Sequence, residues 1–166
     1  MNATLFHAVF VLATFLCSLV AGFLLAFAIV VMPGLRSLDD RGFIRAFQAI
    51  DRVIQNSQPL FVFMWVGSVL ALVAAGVLGL WALSGTDRLL IVAATLVYVI
   101  GVQLPTAAIN IPLNNALQKL DPATTSDEAR GQARAGFEPR WNRWNAIRTW
   151  CACIVSMLLI VLLLRV

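Results

Sequence analysis

Four stretches of this chain are long and apolar enough to cross a bilayer as helices, and that leaves few folds open to it. They run from about Leu5 to Met32, Leu60 to Leu83, Leu89 to Leu113 and Thr149 to Leu164. A helical crossing needs roughly 20 apolar residues, so the first three qualify outright. The fourth is short but extends backwards, because Pro139 fits a first-turn position with Glu138 just ahead of it. Its membrane part then covers approximately 141–165. Only helices or closed barrels satisfy every backbone polar group in hydrocarbon. The expected fold is therefore all-α: an integral membrane four-helix bundle forming a single domain over 1–166, with spans near 5–32, 60–83, 89–113 and 141–165.

Composition agrees. Charged residues make up 12% of the 166 residues and hydrophobic ones 61%, against about 25% charged in soluble domains. The first apolar run is not a signal peptide by pattern, since no charge precedes Arg36 and the run is about twice the usual length. The net charge of +4 reads as topology, not as a nucleic-acid surface. Arg36, Arg41, Arg45 and Arg52 lie in the first long loop, and Lys119, Arg130, Arg134, Arg140, Arg143 and Arg148 in the second. By the positive-inside rule both long loops are expected in the cytoplasm and both termini outside, in the cell (inner) membrane.

The first loop, "SLDDRGFIRAFQAIDRVIQ", has helical periodicity, with Ser37 as expected N-cap and Asp39 and Asp40 in the first turn. Phe43, Phe47, Ile50 and Ile54 fall within about 60° of arc, with Arg41, Arg45 and Arg52 opposite. That predicts an amphipathic cytoplasmic helix between spans 1 and 2. Asp51 sits at the edge of the apolar face, either as a solvated rim residue or aimed into the bundle mouth. The second loop contains Gly131, Gly136 and two prolines, and part of it is expected to be mobile.

Polar residues within the spans are the candidate site. On the third span Gln103, Thr106, Asn110 and Asn114 collect on one narrow stripe, and Pro112 falls roughly opposite. Polar groups at membrane depth face the bundle interior or a wet cavity, though helix–helix hydrogen bonds worth about 0.6 kcal/mol would also account for Asn110 and Asn114. On the fourth helix Trp141, Trp144, Asn145 and Arg148 are spaced i, i+3, i+4, i+7 and share about 100° of arc. An aromatic belt with a snorkelling arginine is the ordinary alternative. It needs no Asn145 and no matching amide stripe on the neighbouring span. A pocket between the two stripes, opening toward the cytoplasm, is the expectation. His7 is the single histidine, so bis-histidine haem ligation and histidine-rich metal centres within the chain are excluded, and no metal site is expected. Cys17, Cys151 and Cys153 read as inert buried thiols. No GxGxxG or P-loop motif supports nucleotide cofactor binding.

Three motifs in order carry a resemblance: Met32-Pro33-Gly34 after the first span, Asn110, Pro112 and Asn114 closing the third, and Trp141, Trp144, Asn145 and Arg148 opening the fourth. With the four-span layout, the chain resembles the DUF1772 family, which includes the anthrone oxygenase-like proteins of polyketide pathways. It departs from that pattern at Asp51, where an asparagine would be expected, and at Asn56-Ser57, where Asn-Pro would be. The resemblance implies oxidation of an anthrone-like aromatic by O2 with no cofactor. Trp141 and Trp144 would stack on the ring with Asn145, Gln103 and Thr106 around it, while Asn110, Asn114 and Arg148 stabilise negative charge and Asp51 acts as base. A non-catalytic binder or carrier of a small hydrophobic or lipid-like ligand, or a structural subunit of a membrane complex, would use the same surfaces. Expected partners are membrane lipids and a small hydrophobic or aromatic ligand, with a homo-oligomer open and no nucleic acid.

Overall fold

A computed structural model describes residues 3–166, and among them there is no strand. The protein is an all-α multi-pass membrane protein, with four helices long and apolar enough to cross a bilayer. Span 1 comprises α1 (Ala3–Ala26), a wide π-helical turn (Phe27–Val31) and α2 (Met32–Arg36). The amphipathic α3 (Asp40–Gln55) follows, then span 2 as α4 (Pro59–Ala82). Span 3 is α5 (Gly85–Tyr98), two wide turns (Val99–Gln103 and Thr106–Asn110) and α6 (Ile111–Gln118). Span 4 belongs to a single long helix, α7 (Asp127–Leu163). His7 Nε2 lies 3.0 Å from the Val166 carbonyl oxygen, so both ends of the chain meet at one end of the bundle and both long loops at the other.

Packing in the half nearer the termini relies on small residues, as it must where lipid is as apolar as the core. A Cβ on Gly101 would stand 2.6 Å from Cys151 Sγ, and one on Gly76 would stand 2.7 Å from Thr95 Oγ1. Those glycines let span 3 approach spans 4 and 2. Phe10, Leu72, Ile91, Tyr98 and Leu159 fill the space between, and Ser68 Oγ and Tyr98 OH satisfy each other at 2.7 Å.

Each wide turn ends two residues before a proline: Val31 before Pro33, Gln103 before Pro105, Asn110 before Pro112. A proline at position i removes the donor that the carbonyl of i−4 expects and crowds it. Widening to i→i+5 bonds accommodates this without breaking the helix. Met32, Leu104 and Ile111 donate such bonds to Phe27, Val99 and Thr106.

Two expectations about the loops need correction. Asp39, not Ser37, caps α3: its carboxylate accepts from Gly42 N at 2.8 Å, and Ser37 instead ends α2 with its hydroxyl on the Gly34 carbonyl. The second loop is also far shorter than expected, and Pro139 does not open the last helix. Ser126 caps α7 by accepting from Ala129 N, with Asp127 and Glu128 in the first turn, where acidic groups favour the helix dipole. The helix then runs through Gly131, Gly136 and Pro139. Tertiary contacts outweigh the weak local propensity. Arg134 donates to the Leu38 and Arg36 carbonyls (2.8 and 2.9 Å), to Asp40 and to Glu138, and its guanidinium lies 4.5 Å from the Phe43 ring centre. Phe137 packs edge-on against Phe47. Pro139 is exposed, so water can serve the carbonyl left without a donor.

Candidate functional site

The wide turns decide which side chains of span 3 point inward. Thr106 and Asn110 are buried, and Asn114 is half-buried one turn further on. Together they line a cavity of about 170 Å³ in the half of the bundle nearer the long loops. Spans 1 and 2 contribute Phe23, Leu24, Phe27, Phe61 and Trp65; α3 contributes Phe47, Ile50, Asp51 and Ile54; α7 contributes Trp141, Asn145 and Arg148. Apolar walls surround a short ladder of polar groups.

At the deep end of the ladder is Arg148, 4% exposed. Its Nη1 donates to Thr106 Oγ1 and its Nη2 to Asn145 Oδ1, both at 3.0 Å. Thr106 passes its own proton to the Val102 carbonyl, and Asn145 Nδ2 donates to the Leu24 carbonyl of span 1 at 3.2 Å. Span 3 and α7 therefore hold the guanidinium, span 1 steadies Asn145, and the Trp141 ring centre is 5.7 Å away. All its partners are neutral. Among the described residues no carboxylate lies within ion-pair distance of Arg148, and Nε is buried without a partner. Burying an unpaired cation costs several kcal/mol, and one inside a membrane protein is a functional-site candidate by default.

Asp51 stands at the other end, 3% exposed. Asn114 Nδ2 donates to its Oδ1 at 2.8 Å, while Gln55 and Gln118 donate to its Oδ2 at 2.6 and 2.9 Å. Of the two positions open to it from sequence, the structure selects the bundle mouth over the solvated rim. Between the ends, Trp141 Nε1 donates to Asn114 Oδ1 at 2.8 Å, and Asn110 reaches the Trp141 carbonyl at 3.5 Å. The Asn110 Oδ1 acceptor is buried and unpaired. Thr106, which accepts from Arg148, and Asn114, which donates to Asp51, are eight residues apart on span 3, roughly two turns from each other.

Seven of the nine residues expected at the site line the cavity: Asp51, Thr106, Asn110, Asn114, Trp141, Asn145 and Arg148. Two do not. Gln103 instead accepts a bond from Trp65 Nε1 at 3.0 Å, because the wide turn at Val99–Gln103 shifts it toward span 2. Trp144 is half-buried outside the lining, since the arc of α7 that faces the cavity is narrower than the stripe. Sequence reasoning missed the aromatic wall. Phe23/Phe27 and Phe61/Trp65 are i, i+4 pairs at the loop ends of their spans, with ring centres 5.0 and 5.5 Å apart. That spacing was a readable signal. The glutamines that hold Asp51 were missed as well, with Gln48 beside them donating to the Leu117 and Leu120 carbonyls at 2.8 Å. Among the described residues no group of His, Cys, Asp and Glu could hold a metal ion.

A family model described as anthrone oxygenase matches residues 52–158. Neither curated proteins nor solved structures gave a match. The matched segment takes in spans 2 and 3, most of α7 and every polar lining residue except Asp51, one position outside it. The chain belongs to the anthrone oxygenase family.

Proposed function

We propose that this protein oxidises a small, flat, enolisable aryl ketone of the anthrone type with O2, in the cavity between α3 and spans 1 to 4. The observation that carries the reading is the separation of charge in one apolar hollow. Asp51 and Arg148 sit at its two ends, each held by neutral groups and neither neutralising the other. A base and a cation so arranged favour an enolate lying between them. The hollow is below the ~300–1,000 Å³ of ordinary ligand pockets, which suits a thin molecule with one edge outside.

In the proposed reaction Asp51 takes a proton from the ring methylene, and the enolate oxygen is held by Arg148 Nε. The enolate gives its electron pair to O2 at that carbon, and the Asp51 proton completes a hydroperoxide. Loss of the second methylene hydrogen with O–O cleavage leaves a ketone and releases water. The methylene loses four electrons, O2 gains four, and one oxygen atom goes to each product. The enolate is itself the reductant, so the proposal includes no cofactor. Asn110 Oδ1 would accept from a ring hydroxyl, and Trp141 and Trp65 would flank the ring. The positive-inside rule would place the long loops, and this end of the bundle, in the cytoplasm.

The test is turnover in lipid nanodiscs. Anthrone should disappear with one equivalent of O2 and one of quinone formed. Arg148→Gln should lower kcat by about 10²–10³, the usual cost of one oxyanion donor, with circular dichroism unchanged. Quinone formation no faster than without protein would refute the oxygenase; unchanged kcat in Arg148→Gln would refute the role of the guanidinium. A carrier would give the first result and retain a co-purifying ligand visible by mass spectrometry.

A further inference from the structure

The cavity has one side that helices do not close. Its loop end is covered by α3, whose Phe43, Phe47, Gln48 and Asp51 are buried and whose amide contacts tie it to α6. Gln55 bonds both Asp51 and Asn115 across the top. On the side of span 1 and α7, Phe27 lies tilted against Trp141 with ring centres 5.7 Å apart, and Asn145 bonds the Leu24 carbonyl.

The most exposed of the lining residues lies on the remaining side. Ile111 lines the cavity yet is 47% exposed, and Phe61 and Trp65 are only half-buried. Spans 2 and 3 meet closely in the half nearer the termini, at Gly76 with Thr95 and Ser68 with Tyr98. Toward the loops, the bond from Trp65 to Gln103 is the last side-chain hydrogen bond joining them among the described residues. Beyond it the second wide turn and Pro112 carry span 3 onward with Ile111 at the edge of the opening.

Counted from the helix ends, the inner rim of the opening falls at hydrocarbon depth. Trp65 is six residues inside the start of α4, and Ile111 seven inside the end of α6, a depth of roughly 9–10 Å at the helical rise. Each head-group layer is only about 5–8 Å thick. No charged residue occurs between Val53 and Thr86 or between Leu89 and Gln118, and the flanking Leu104 and Phe63 are exposed apolar side chains.

We infer that the cavity takes its ligand sideways from the bilayer, through a portal between spans 2 and 3 rimmed by Phe61, Trp65 and Ile111, and that it therefore selects neutral, lipid-dissolved aromatics over water-soluble anionic ones. A molecule dissolved among acyl chains reaches the ladder without crossing α3, and its apolar edge stays in the portal while the ketone enters. The Trp65–Gln103 bond is the inner lintel and sets how far the ring can go. This rests on the cavity being a ligand site, and not on catalysis.

Pocket occupancy gives the test. A tricyclic aryl ketone bearing a diazirine and a long alkyl tail is held in nanodiscs, and photolabelling of the peptide containing Trp141 and Arg148 is timed by mass spectrometry. Its pocket should label, and Ile111→Trp or Phe61→Trp should slow labelling by at least about tenfold, as obstructed docking slows association. Leu104→Trp, on the lipid face outside the cavity, should not. The same ketone carrying a sulfonate in place of the tail should leave the pocket unlabelled. Equal labelling by the sulfonate, no pocket labelling by the tailed ketone, or wild-type rates in both folded mutants would each overturn the portal. A protein that labels as expected yet makes no quinone would keep the portal and lose the oxygenase.

Discussion

At the scale of single residues, two buried ionisable side chains, Asp51 and Arg148, stand apart at the ends of the cavity. Asp51 accepts three amide donors and donates to none. In Asp51→Asn the new amide nitrogen must face at least one of those donors, which leaves a buried polar group unpaired at about 1–3 kcal/mol. Removal of the base should also lower quinone formation by about 10²–10⁴. Asp51→Glu, which restores a carboxylate one methylene away, should recover part of the rate without full stability. Comparing kcat with the melting temperature in detergent separates the two effects; a variant whose rate falls only as far as its folded fraction would show Asp51 to be structural. The sequence could put Asp51 at an edge and no more, because the three amides that hold it come from α3 itself and from α6, more than 60 residues away.

At the scale of elements, the wide turns matter most. Each acts like a residue inserted into an α-helix and rotates everything beyond it relative to the rest. Gln103 lies in one such turn, and Thr106 and Asn110 in the next. The polar stripe survives the turns from Thr106 to Asn114, where the residues are a turn apart and shift together, but not at Gln103. In Pro105→Ala an N–H returns at position 105, regular α-helix becomes accessible, and Thr106 should swing away from Arg148. The expected result is unchanged or higher helicity and thermal stability, with affinity for the tailed ketone weakened by about tenfold or more, the worth of one hydrogen bond to a charged group. Unchanged affinity would mean that the wide turns do not set the site. Similarly, α7 extends 12 residues before Pro139, through glycines that argue for a loop, because Arg134 and Phe137 find partners on the first loop.

At the scale of the whole molecule, close helix approach in the half nearer the termini supports the hollow in the half nearer the long loops. Gly101 faces Cys151 with no room for a Cβ. Gly101→Ala should cost about 1–3 kcal/mol as an overpacked contact, seen as a lower melting temperature in detergent. Cys151→Gly placed in the same chain should recover most of it, since neighbours in direct contact are not additive. Full additivity of the two changes would show that spans 3 and 4 do not meet there. The sequence by itself determined the number of spans, the amphipathic helix and the inward faces of α7 and of the end of span 3. Hydropathy and helical period are local properties, and lipid enforces them residue by residue. Only the tertiary structure decided that Asp51 turns inward, that Gln103 and Trp144 leave the site, that aromatics of spans 1 and 2 complete its walls and that one side stays open. Those outcomes depend on the rotation of one helix against another, which prolines, wide turns and contacts between distant residues set together.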